Sequence, residues 1–96
     1  MENQTKNNRI DVPSAVLAAK DYLQSLPGLF EYKIKELRLE EVELSEDRKY
    51  WLITLGFITT TAGEEESFFL KKERDYKVFK IHAETGEVES MKIREL

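Results

Sequence analysis

The chain of 96 residues is 41% hydrophobic, which is enough for a single domain around one core and more than a disordered acidic chain contains. Its formal net charge of −4 argues against a nucleic-acid binder, and the absence of cysteine excludes disulfides and thiolate metal sites. No apolar run approaches the roughly 20 residues of a membrane span and no signal-peptide core follows Met1, so we expect a cytoplasmic protein without membrane contact.

The first predicted element is a helix. Residues 1–10 are polar and predicted to be flexible, which leaves residues 11–96 as a single domain. Asp11 is a good N-cap, Pro13 is tolerated in a first turn, and Pro27-Gly28 ends the helix. Apolar residues recur at spacings of three and four along it: Val12, Val16, Ala19, Leu23 and Leu26. This stripe predicts a helix that faces the core.

Two strands are predicted next. Residues 30–45 alternate in polarity but change phase, from Phe30, Tyr32 and Ile34 to Leu37 and Leu39, and then to Val42 and Leu44. Such slips predict a β-bulge near Glu40-Glu41 that bends the strand. After a turn at residues 45–48, residues 49–60 are apolar on both faces, which indicates either a central strand or one that is covered on both sides. We expect Trp51 to belong to the core.

A loop is predicted for residues 59–67. Its three consecutive glutamates lack the ligand spacing of a calcium loop, so we interpret them as solvated and predict no metal site. The patch Phe68-Phe69-Leu70 that follows needs a place to dock, either on this chain or on another.

Residues 75–93 have the pattern of a β-hairpin closed by residues 83–86, with Gly86 supplying a positive φ. A four-residue loop pairs Ile81 with Val88, Val78 with Met91 and Tyr76 with Ile93. A three-residue loop sets Lys77 against Ile93 and Val78 against Lys92 instead. We favour the first register because it matches polarity and charge better.

In that register four large apolar residues lie together on one sheet face: Tyr76, Val78, Met91 and Ile93. One helix covers only one face, so we predict that these residues bind a partner, most simply a second copy in a homodimer. The alternative is that residues 67–73 cover them within the same chain.

The predicted fold class is α+β, one N-terminal helix packed on a curved antiparallel sheet of about four strands, a cystatin-like layer. The helix DVPSAVLAAKDYL and the ending YKVFKIHAETGEVES resemble a PepSY-type module, whose Thr-Gly-Glu-Val turn is matched by residues 85–88. His82 stands where that family commonly has Asp. The resemblance implies a small non-catalytic module of the kind often attached to secreted peptidases or found in envelope proteins.

No catalytic set is recognisable in the sequence. The chain has one histidine, no cysteine and no Gly-x-Ser-x-Gly motif, and its four glycines are too dispersed for a phosphate-binding loop. In the predicted register His82 faces Glu87, and a structural hydrogen-bonded pair is the more ordinary use of such neighbours than a catalytic dyad. We predict a non-enzyme without cofactor.

Two function classes remain. The first is a protein-binding or assembly module that acts through an apolar sheet face, of which an inhibitory or immunity-type protein is one form. The second is an apolar-ligand or enzymatic domain with a pocket between helix and sheet, lined by Trp51, Phe57 and Phe79.

Overall fold

The computed structural model describes residues 8–26, 32–61 and 74–94. These residues form one helix and four strands: α1 Val12–Gln24, β1 Tyr32–Leu44, β2 Tyr50–Thr61, β3 Asp75–His82 and β4 Val88–Ile93. The strands form one antiparallel sheet in the order β1-β2-β3-β4, and α1 packs on one of its faces. The predicted α+β class is confirmed.

Helix α1 begins as the sequence predicts. The Asp11 carboxylate accepts a hydrogen bond of 3.0 Å from the backbone N–H of Ser14, and Pro13 lies in the first turn. At the other end, the Ser25 hydroxyl donates to the carbonyl of Tyr22 over 2.6 Å. The predicted stop signal Pro27-Gly28 lies outside the described residues. Within the described part of the chain, no helix combines the length and apolar composition that crossing a membrane requires.

The hydrophobic core lies between α1 and the sheet. Alanines at positions 15 and 19 let the helix backbone approach the strands closely, and Leu23 extends the contact by one turn. The core cluster consists of Ala15, Ala19, Leu23, Ile53, Leu55, Phe57, Phe79 and Ile81. We call the sheet face that carries Phe79 and Ile81 the inner face, and the opposite one the outer face.

Strand β1 contains two irregularities. The pairing with β2 shifts between Leu39 and Glu41, which confirms the bulge predicted there. A second shift, between Lys35 and Arg38, was not predicted, and within it Glu36 has φ 54. Two extra residues in β1 oppose a regular partner strand, so β1 twists more strongly than its neighbour.

Strand β2 is central, as predicted, because it pairs with β1 on one side and with β3 on the other. Its inward residues Ile53 and Leu55 are 0% and 2% exposed. Trp51 is half-buried and packs against the core cluster, so its predicted core position is confirmed in part.

The turn of the β3–β4 hairpin is as predicted, but the register beyond it is not. Gly86 has φ 80 and its N–H donates to the carbonyl of His82, while the His82 N–H donates to Glu87, so the loop has four residues. The ladder starts with Ile81 opposite Val88 and then shifts by one position.

The shift arises because Glu89 is an extra residue, accommodated as a bulge. Beyond it the pairs are Lys80–Ser90, Phe79–Met91, Val78–Lys92 and Lys77–Ile93. The predicted pairs Val78–Met91 and Tyr76–Ile93 are therefore wrong. The register of the four-residue loop therefore holds next to the turn, at Ile81–Val88. The alternative register, with Val78 opposite Lys92, holds for the rest of the hairpin.

Candidate functional site

The four residues predicted to bind a partner do not share a surface. Directly opposed residues lie on the same sheet face, so Met91 lies with Phe79 on the inner face, where it packs against the core cluster. Val78 lies opposite Lys92 on the outer face. Ile93, 70% exposed, lies opposite Lys77 at the end of the inner face. The single apolar patch that the sequence predicted is therefore absent.

Charged side chains cross the outer face instead. The Arg94 guanidinium contacts the Glu41 carboxylate and donates to the Thr54 hydroxyl at 3.2 Å. Arg74 reaches β1, where it donates to the backbone carbonyl of Glu36 over 2.6 Å. These contacts join the residue before β3 and the residue after β4 to the irregular edge strand, and they place paired charges on this face.

His82 lies on the outer face at the end of β3. Its Nε2 lies 2.8 Å from Oε1 of Glu89, the bulge residue, and not beside the Glu87 carboxylate that the regular register predicted. Its ring is 4.9 Å from that of Tyr50, at an interplanar angle of 49°. The Lys80 ammonium covers the Tyr50 ring at 4.4 Å from its centroid. These contacts hold the imidazole in place.

The largest aromatic side chains of the interior fill the space between helix and sheet. Phe57 and Phe79 are 2% and 0% exposed, and the Tyr22 ring meets Phe79 edge-on with centroids 6.3 Å apart. Of the three residues named for a ligand pocket in the alternative prediction, Phe57 and Phe79 are therefore core residues, and Trp51 is half-buried against the core cluster.

A groove of about 320 Å³ lies between α1 and β1. We call it the apolar groove. It is lined by Val16, Lys20, Gln24, Leu37, Leu39 and Leu55. The side chain of Leu39 is 47% exposed although it is aliphatic and lies at mid-strand. The sequence contained a signal for this site, because Leu37 and Leu39 are the pair that the phase slip moves to the helix side.

Strand β1 is an edge strand, since among the described strands it has a neighbour on one side only. The charges that its ladder pairs place on the outer face are unevenly distributed, and Glu36, at the first irregularity, adds one carboxylate to the first half. Lys35 and Arg38 lie in its first half, whereas Glu41 and Glu43 lie in its second half. Lys35 and Glu43 are each four residues from Leu39, in opposite directions along the strand.

A second recess, of about 440 Å³, lies at the end of the sheet where β2 begins and β3 ends. We call it the basic cleft. Its lining includes Arg9, Arg48, Lys49, Tyr50, His82 and Glu84. Three of these residues are arginine or lysine and one is a glutamate, so this surface carries the sign opposite to that of the chain as a whole.

Comparisons with protein-family models, curated proteins and solved structures found no match for the chain. The resemblance to PepSY-type modules therefore stays a prediction. Within residues 8–26, 32–61 and 74–94, no group of three or more His, Asp or Glu side chains is placed to hold a metal ion.

Proposed function

We propose that the chain is a non-catalytic protein-binding and assembly module, whose partner at the apolar groove is a second copy of the chain. The observation that carries this proposal is Leu39, a half-exposed aliphatic side chain at the middle of an edge strand and beside a groove lined by other aliphatic residues. Removing such a side chain from water stabilises a complex by up to about 1.5–3 kcal/mol.

The pattern of charges favours a second copy over an unrelated partner. A two-fold axis at Leu39 runs the β1 strands of two chains antiparallel and sets Lys35 of each opposite Glu43 of the other. The basic half of one strand then meets the acidic half of its neighbour. An isologous contact of this kind satisfies the same patch on both chains and closes without forming a fibre.

The groove supports a protein contact more than a small-ligand pocket. It lies at the low end of the volume range of ligand sites, which usually bury most of their ligand. Leu39 remains half-exposed beside it, as expected for an aliphatic side chain that a flat partner surface covers.

The mass of the native chain in solution tests the proposal, measured by sedimentation equilibrium over a micromolar concentration series. We expect a dimer, and we expect Leu39→Lys to be a folded monomer. Leu17→Lys is the matched control, since Leu17 is 54% exposed but does not line the groove, and it should remain dimeric.

A charge swap tests the geometry. Lys35→Glu should weaken the dimer by placing two glutamates together, and Lys35→Glu combined with Glu43→Lys should restore it. A native chain that is monomeric throughout the series overturns the proposal, and the two bulges and the charges of β1 then act as protection of an edge strand. Binding of a hydrophobic dye at the groove of such a monomer would favour the ligand-binding alternative.

A further inference from the structure

We propose that the basic cleft binds a small phosphate ester, with its phosphoryl group between Arg9 and Arg48. This inference is independent of the apolar groove, which lies between α1 and the middle of β1. The cleft, with a volume of about 440 Å³, has room for a phosphoryl group and a small organic body.

The cleft is distinguished by the two arginines that form no ion pair among the described residues. The chain has five arginines and nineteen acidic residues. Three of the arginines, at positions 38, 74 and 94, pair with glutamates of β1. Arg9 and Arg48 form no ion pair in the described part of the chain, and both line the cleft. In an acidic protein, two guanidiniums that line one recess without an ion pair among the described residues indicate a site for an external anion.

Phosphate suits these groups in number and shape. A guanidinium is a planar fork of N–H donors that binds two oxygens of a phosphate at once, and Lys49 adds a third positive charge. The rings of Tyr50 and His82, which also line the cleft, offer an aromatic surface for the organic part of an ester. Glu84 gives the opposite charge in the lining and favours ligands that also carry a hydrogen-bond donor.

Backbone hydrogen bonds hold the three segments around the cleft together. The N–H of Ile10 donates to the carbonyl of Ala83 at 2.7 Å, and the N–H of Ala83 donates to the carbonyl of Lys49 at 2.8 Å. These hydrogen bonds connect the segments that carry Arg9, Arg48 and His82. Ligand binding therefore does not have to order the segments relative to one another.

Arg48 also has an uncommon backbone conformation. Its φ is 64, in the left-handed region that glycine adopts more easily, at the last residue of the turn before β2. The turn itself would accept glycine at no steric cost. An arginine in this conformation, beside a recess and without an ion pair among the described residues, is consistent with a use for its side chain.

The test uses inorganic phosphate, phenyl phosphate and acetate at matched ionic strength, followed by amide shifts in NMR spectra of the whole chain. We expect saturable shifts at residues 48–50 and 82–85 with phosphate, tighter binding of phenyl phosphate and little effect of acetate. Arg48→Gly should unfold at a higher temperature than the native chain but bind phosphate about tenfold more weakly.

Arg9→Gln should weaken binding similarly, while Arg38→Gln is the matched control because its guanidinium pairs with Glu40 outside the cleft, and it should bind normally. Equal shifts by acetate and phosphate, or phosphate binding that Arg48→Gly leaves unchanged, would overturn the proposal. Loss of phosphate binding in Arg38→Gln would also contradict it, because the effect would then be one of general charge.

Discussion

The indole N–H of Trp51 donates a hydrogen bond of 3.0 Å to the carbonyl oxygen of Ile10. The backbone N–H of Ile10 in turn donates to the carbonyl oxygen of Ala83. Ile10 therefore joins the start of β2 to the hairpin loop, although the sequence placed it in a polar terminal segment. The only tryptophan thus has two roles, packing on the core cluster and fastening the residues that precede α1.

We expect Trp51→Phe to lower the free energy of unfolding by about 1 kcal/mol, because the ring is largely kept but the Ile10 carbonyl loses its donor. Trp51→Ala should cost about 3 kcal/mol, less than Phe79→Ala, because Trp51 is half-buried and Phe79 is fully buried. Urea denaturation followed by circular dichroism measures both. Equal costs for the two alanine variants would contradict this ranking.

Gly86→Val should destabilise the chain by about 1–2 kcal/mol, since a β-branched residue is strained at φ 80. Gly86→Asn is the matched control, because asparagine tolerates the left-handed region, and it should cost clearly less. Thermal denaturation compares the two. A valine variant as stable as the native chain would show that the turn adopts another conformation.

Gly56 allows two side chains to approach the outer face of β2. A Cβ at this position would collide with the Glu40 carboxylate and lie 3.0 Å from the Tyr76 ring. Because the Glu40 side chain is flexible and can move aside, Gly56→Ala should cost only about 1 kcal/mol. Because shortening Glu40 removes part of the collision, Gly56→Ala combined with Glu40→Ala should cost less than the sum of the single changes. Additive costs in urea denaturation would refute the proposed collision.

Acid should remove the stabilisation that the carboxylates of Asp11 and Asp47 provide by accepting hydrogen bonds. Hydrogen bonds from Ser14 hold the pKa of Asp11 below its usual range, and the Ser45 hydroxyl, followed by the Lys49 N–H, does the same for Asp47. A folded-state pKa below the unfolded value of about 3.9 stabilises the fold fully above that pH, and the stabilisation is lost as the pH falls through the folded value.

Asp11→Asn and Asp47→Asn keep a side-chain acceptor but cannot titrate. The melting temperatures of both variants should therefore fall less than that of the native chain between pH 6 and pH 2. Asp21→Asn, on the exposed side of α1, controls for the change in net charge. If the melting temperature of Asp21→Asn fell as little as those of Asp11→Asn and Asp47→Asn, this account would be contradicted.

Local patterns in the sequence predicted most of the fold. The Asp11 cap, the central strand around Ile53 and the turn at Gly86 each follow from nearby residues and a known backbone preference. The register of β4 does not, because one extra residue in a six-residue strand leaves both alternations plausible. The position of the extra residue follows only from the structure, in which Phe79 pairs with Met91 on the inner face.

The two recesses were harder to predict than the strands. The phase slip at Leu37 and Leu39 predicted a bulge in β1, but not that the helix leaves part of the inner side of this strand open. The basic cleft combines residues from three distant segments. Nothing in the local sequence around Arg9 or Arg48 indicates that hydrogen bonds at Ala83 bring those segments together.

The shifted register of the hairpin also bears on aggregation. On the outer face of β4, Lys92 lies opposite Val78, and the N–H of Arg94 donates to the carbonyl of Tyr76. Each apolar residue of β3 on this face thus has a cation beside it, which discourages pairing of the exposed edge with a foreign strand. In the regular register Met91 and Ile93 would occupy those positions and form an apolar strip. The extra residue Glu89 shifts the register, so that Lys92 and Arg94 occupy them instead.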